Sequence, residues 1–140
     1  MDISEETKSR LLQNLSSPFD GNLLGVKVAD AERGKIIIEV EPKEEFTNGL
    51  GIIHGGVTAS LCDTAMGGAA MTLGIIPVTV EMKINYISPA GTDNKLVGVG
   101  KVVKEGRTLI FTEGEIYYED KLVAQSLGTY IVKNPNMSSK

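Results

Sequence analysis

Between Glu45 and Glu81 only one side chain carries a formal charge at neutral pH, Asp63, and this constrains the middle of the chain. The stretch from His54 to Met71, HGGVTASLCDTAMGGAAM, holds no Pro and lacks the β-branched density of strands. It reads as a helix over about residues 54–73, buried on most sides. Leu61, Ala65, Met66, Ala69 and Met71 favour helix, while Gly67 and Gly68 weaken it. Its stability must come from packing, and the glycines permit close approach by a neighbouring backbone or a ligand.

A carboxylate in that setting needs an explanation, because an unpaired buried charge costs several kcal/mol or shifts its pKa. Asp63 is either a structural acid satisfied by N–H groups or a cation from elsewhere, or an acid held for chemistry. Ala59, Ser60, Met66 and Gly67 lie one turn away, Gly56 and Ala70 two turns away. That lane of small residues leaves room beside the carboxylate and favours the chemical reading.

His54 is the only histidine, and it stands where the helix begins, followed by Gly55 and Gly56. The first N–H groups of a helix lack internal partners and carry the positive end of the dipole. Glycines there let a carbonyl oxygen approach directly, an arrangement like a backbone oxyanion hole. His54 and Asp63 are nine residues apart, two and a half turns, so they face opposite ways about 13 Å apart along the axis. One small reacting group cannot touch both within one helix. Either one of the two is structural, or the site is composite, with antiparallel helices in a dimer supplying its two halves.

The rest of the chain reads as one domain over residues 1–140, α+β in class, with 41% hydrophobic residues. A net charge of −4 and no basic run argue against nucleic acid as a partner. The acidic start lacks a signal-peptide profile, no stretch reads as a membrane span, and the single cysteine suits a reducing compartment; a cytoplasmic location is expected. Cys62, inside the apolar helix, reads as a core residue rather than a nucleophile. Ser4 caps a short amphipathic helix at about 4–16, Ser16–Asn22 is a loop, and 134–140 is a frayed tail. Strands are expected at Leu23–Ala29 and Lys35–Glu41, joined by Asp30–Gly34. After Pro77, Val78, Val80, Met82, Ile84 and Tyr86 alternate with Thr79, Glu81, Lys83 and Asn85, a strand with one wetter face. Lys95–Lys104, Thr108–Tyr118 and Leu122–Val132 complete a curled antiparallel sheet wrapped around the long central helix. Pattern alone does not order the strands.

Asn48 six residues before His54-Gly55-Gly56, then Leu61, Asp63-Thr64-Ala65, Val78–Met82 and Asn85–Ala90, resembles the hotdog-fold thioesterases over about residues 20–133. Within them the chain is most similar to the phenylacetic-acid-pathway group, which includes the thioesterase superfamily member 2 type. The resemblance implies hydrolysis of acyl-CoA thioesters without cofactor or metal, by a homodimer at minimum and a homotetramer by family habit. It implies that Asp63 activates water, or less directly attacks as nucleophile, and that the Gly55 N–H polarises the carbonyl. Asn48 and His54 would orient the thioester and Thr79 would help hold the water. Coenzyme A would run along Glu81, then Tyr86, Ile87, Ser88, Pro89, Ala90 and Gly91, and the turn at Lys104, Arg107 and Thr108. Lys104 and Arg107 are the cations there for phosphates, although a solvated hairpin tip is the other reading of that turn. Two rivals stay open: a 3-hydroxyacyl thioester dehydratase and a non-catalytic acyl-CoA-binding hotdog protein.

Overall fold

The computed structural model describes residues 3–133, so the expected frayed tail at 134–140 lies outside the described residues. Helix α1 (Glu5–Leu15) begins at Ser4, whose hydroxyl accepts from the Thr7 N–H as an N-cap should. Helix α2 (Gly55–Met71) is the expected central helix, shorter at each end than 54–73 because His54 is its N-cap and Thr72 its C-cap. Six strands follow the chain: β1 (Lys27–Glu32), β2 (Lys35–Val40), β3 (Ile76–Tyr86), β4 (Leu96–Glu105), β5 (Leu109–Tyr118) and β6 (Lys121–Lys133). They form one wholly antiparallel sheet in the order β1-β2-β4-β5-β6-β3, so β1 and β3 are its edges. Among the described residues no helix is long and apolar enough to cross a membrane.

The sheet curls around α2, and the reason is steric. Leu61, Cys62, Ala65, Met66, Ala69 and Ala70 on the helix are fully enclosed, against Ile36, Ile38, Ile110 and Ile116 from the sheet. Where the helix comes nearest, the strands have no side chains. Gly100 lies opposite Gly114, and Gly114 opposite Ser126, in one row across three strands. A Cβ on Gly100 would collide with the Ala65 carbonyl, and one on Gly114 would come within 2.8 Å of Met66 Cγ. Small residues are thus required on both surfaces, which explains how a glycine-weakened helix gains its stability from close packing.

Three local expectations need correction. Ser16–Asn22 is not an irregular loop, because Pro18–Leu23 forms a π-helical turn, with Asn22 N–H bonding the Ser17 carbonyl and Leu24 N–H the Phe19 carbonyl. That turn uses residues expected in the first strand, so β1 starts at Lys27 rather than Leu23, and the connection shrinks from Asp30–Gly34 to Arg33–Gly34, where Gly34 takes φ +87°. The third concerns β3, whose alternation is broken by a bulge between Thr79 and Glu81. Thr79 lies opposite Tyr130, Met82 opposite Gly128 and Ile84 opposite Ser126, so Thr79 joins Met82 and Ile84 on the helix side. Unbroken alternation puts Thr79 on the other, wetter face. The extra residue, Val80, reverses that.

The far end of α2 is stitched to the β1–β2 turn by Thr72, which donates to the Ala69 carbonyl and accepts from the Gly34 N–H at 2.7 Å. Replacing Thr72 by Val keeps the shape and leaves a shielded N–H without its acceptor, so Thr72→Val should cost about 1–3 kcal/mol of stability. Chemical denaturation of the variant checks this; an unchanged midpoint would show that the stitch contributes nothing.

Candidate active site

The residues singled out in the sequence fall into two groups, one at the N-terminus of α2 and one at its middle. The first is built by the loop before the helix. Asn48 Oδ1 accepts from the Leu50 N–H at 2.9 Å and the Ile52 N–H at 3.3 Å, which fixes the loop and leaves the side-chain NH2 unused by it. His54 Nδ1 accepts from the Gly56 N–H at 2.7 Å, so the neutral ring carries its proton on Nε2. Val57 N–H goes to the His54 carbonyl, and Gly55 N–H, first in the helix, has no intrahelical acceptor. Of the two glycine N–H groups expected to meet an oxygen, then, one is already capped and the Gly55 N–H remains. Tyr86 donates to the Gly55 carbonyl at 2.8 Å, and its ring lies so near that a Cβ on Gly55 would be 3.3 Å away. Asn48, Gly55, Tyr86, Ile87, Ser88 and Pro89 line one cleft of about 450 Å³.

Asp63 belongs to the second group. Its Oδ1 accepts two hydrogen bonds, from Tyr130 Oη at 2.6 Å and from Thr79 Oγ1 at 2.8 Å. Among the described residues no Lys or Arg pairs with it. The carboxylate lines a cavity of about 160 Å³ together with Thr64, Gly67, Thr79 and Tyr130. Thr64, its neighbour on α2, donates to Asp20 Oδ1 at 2.7 Å and so ties the π-helical turn to this cavity. Burial, then the hydrogen bond to Asp63, raises the Tyr130 phenol well above its ordinary pKa, so it remains a donor throughout the working range. Burial also pushes the Cys62 thiol up to about 11, which removes the thiolate and matches the reading of a core cysteine.

Within one chain these groups do not meet. Gly55 and Asp63 stand about 12 Å apart along α2 and bond to different parts of β3, Gly55 to Tyr86 and Asp63 to Thr79. The residues expected along coenzyme A divide the same way. Tyr86–Ala90 and, beside Tyr118, Gly91 belong to the Gly55 end. The β4–β5 turn with Lys104, Arg107 and Thr108 belongs to the Asp63 end, since Leu109 is level with Ile131 and Val78. Glu81 is exposed on β3 just past the bulge. Reading the sequence missed Tyr130. Its ring passes over Gly67, 3.4 Å from where a Cβ there would stand, so part of the lane of small residues is filled by the protein's own tyrosine. The only signal for it was its position in step with Ser126 and Gly128 on β6. Among the described residues no three His, Cys, Asp or Glu side chains converge as a metal site requires.

A six-stranded antiparallel sheet curled around a central helix that begins at a Gly-Gly pair and carries a mid-helix carboxylate is the hotdog fold. Residues 50–125 match the thioesterase superfamily, and the chain belongs to that family of thioester hydrolases. It is 36% identical over 115 residues to human acyl-coenzyme A thioesterase 13, covering 79% of this chain and 82% of that protein. The crystal structure of zebrafish thioesterase superfamily member 2 is similar at a TM-score of 0.81 and 32% identity, over 95% of this chain and 99% of that one. A hypothetical thioesterase from Streptococcus pneumoniae, solved with coenzyme A, is similar at a TM-score of 0.75 and 25% identity, over 78% and 89% of the two chains.

Proposed function

We propose that this protein hydrolyses acyl-CoA thioesters to a free acid and coenzyme A, in sites shared between two copies of the chain. The observation that carries the reading is the half-buried Asp63 carboxylate, which lines a cavity, is held by two hydroxyls and has no cation paired with it among the described residues, so its charge is free to act on a bound water. The relatives named for acyl-coenzyme A hydrolysis and for bound coenzyme A support the substrate class.

In the proposed reaction Asp63 takes a proton from water as the water oxygen attacks the thioester carbonyl. The Gly55 N–H and the helix dipole stabilise the oxyanion that forms, while Asn48 NH2 and His54 Nε2–H orient the thioester. Thr79, whose hydroxyl proton is given to Asp63, can still accept from the water. The tetrahedral intermediate collapses by breaking the C–S bond, and the leaving thiolate receives the proton held by Asp63. The commitment of Nδ1 to the Gly56 N–H supports a cap and donor role for His54 over the acid–base role a dehydratase needs.

Antiparallel pairing of two β3 edges would close the gap between half-sites, because it sets the Tyr86 end of one chain beside the Thr79 end of the other. The same operation brings Tyr86–Gly91 and Glu81 toward the other chain's Lys104, Arg107 and Thr108, making one track for coenzyme A. A tetramer would cover Val78, Leu109, Phe111 and Leu127, which are exposed together on the sheet's outer face.

Incubation with short, long and aryl acyl-CoAs in the presence of a thiol-trapping dye should release free coenzyme A from at least one class. Conversion of a 3-hydroxyacyl-CoA to an enoyl product without thiol release would replace the reading by a dehydratase, and tight binding of every class without turnover by a non-catalytic protein.

A further inference from the structure

Tyr130 is the largest of the fully enclosed side chains, only 2% exposed. A hydroxyl at such a site needs a partner, and the acceptors it finds are both atoms of one residue: Asp63 Oδ1 at 2.6 Å and the Asp63 backbone carbonyl at 3.0 Å. Thr79 adds its proton to the same Oδ1 from the opposite strand neighbour. Two donors therefore converge on one carboxylate oxygen, and neither touches Oδ2. Backbone and packing aim both donors at Asp63. The Tyr130 ring is wedged between the positions a Cβ would take on Gly67 and on Gly128, and Thr79 is turned toward the helix by the bulge at Val80. The Tyr130 hydroxyl cannot leave without moving its strand.

We propose that Tyr130 is a positioning residue, which with Thr79 clamps Oδ1 of Asp63 so that Oδ2 is the oxygen that takes the proton from water. This rests on the reading of Asp63 as the base. A carboxylate rotating about its Cβ–Cγ bond exchanges its two oxygens; the clamp removes that freedom and holds one oxygen toward the cavity, the kind of orientation on which proton transfer depends. The persistent protonation of the phenol keeps the clamp closed at every pH where the enzyme works.

Tyr130→Phe retains the ring over Gly67 and Gly128 and deletes only the donor. The expected result is a fall in kcat of roughly ten- to a hundredfold with KM within about twofold, the range spanned by one hydrogen bond to a charged group. A second readout separates positioning from packing: added to Asp63→Asn, Tyr130→Phe should cause no further loss, because the group it orients has lost its function. If Tyr130→Phe turns over within about threefold of the parent while Asp63→Asn is inactive, the clamp is wrong and the base reading stands. Losses that multiply in the double variant also overturn the clamp in favour of a packing role. If Asp63→Asn alone remains active, the base reading itself fails and takes the clamp with it. Should Tyr130→Phe not fold, 4-fluorophenylalanine at position 130 fills the place of the hydroxyl without a donor; the same selective loss in kcat supports the clamp, and its absence overturns it.

Discussion

Replacing Asp63 by Asn should reduce turnover by ~100–10,000-fold, the usual contribution of a general base, while leaving KM within a few-fold. The substitution scarcely changes volume, and the surroundings define how the amide will sit. Tyr130 and Thr79 both present protons to the Oδ1 position, so the Asn carbonyl takes that place and its NH2 occupies the position of Oδ2. An NH2 there cannot accept a proton from water. Stability should hold, because no cation among the described residues loses a partner when the charge goes. Steady-state kinetics with a thermal melt on the same preparation make the test. More than about a tenth of parental turnover, with the fold intact, would show Asp63 to be structural.

The parts of this site legible in the sequence are those set by local rules. The chargeless run around Asp63 specified a buried helix, and helical phase alone separated His54 from Asp63. The structure keeps that separation, with Gly55 bonded at the Tyr86 end of β3 and Asp63 at the Thr79 end. What escaped depends on pairing between distant strands. Thr79 reaches Asp63 only because Val80 is extruded where β3 lies against β6, and no alternation rule places a bulge. Tyr130 was invisible for the same reason: its neighbour across the sheet, not its neighbours in sequence, makes it part of the site. The π-helical turn at Pro18–Leu23 was hidden because Ser, Pro, Asp and Gly mark an interruption without specifying how the chain crosses it. Resemblance supplied the coenzyme A residues as a set, and the fold divides that set between the two ends of one chain.

That division leads to the last expected result, which concerns assembly. One chain carries Asp63→Asn; the other carries Asn48→Ala with His54→Ser, a pair that deletes both orienting donors while Ser keeps an acceptor at the N-cap of α2. Each alone should be nearly inactive. Refolded together, a mixed dimer whose sites are shared has one site with every lesion and one site with none. Random pairing then restores activity toward about a quarter of the parental level, far above either variant. If each site lies within one chain, every site in the mixed dimer retains a lesion and nothing is regained. Native mass spectrometry must find the mixed dimers in the same sample, so that their presence without activity rules out sharing. Such an outcome would also require one small reacting group to reach both Gly55 and Asp63 on a single helix, which stand about 12 Å apart along its axis.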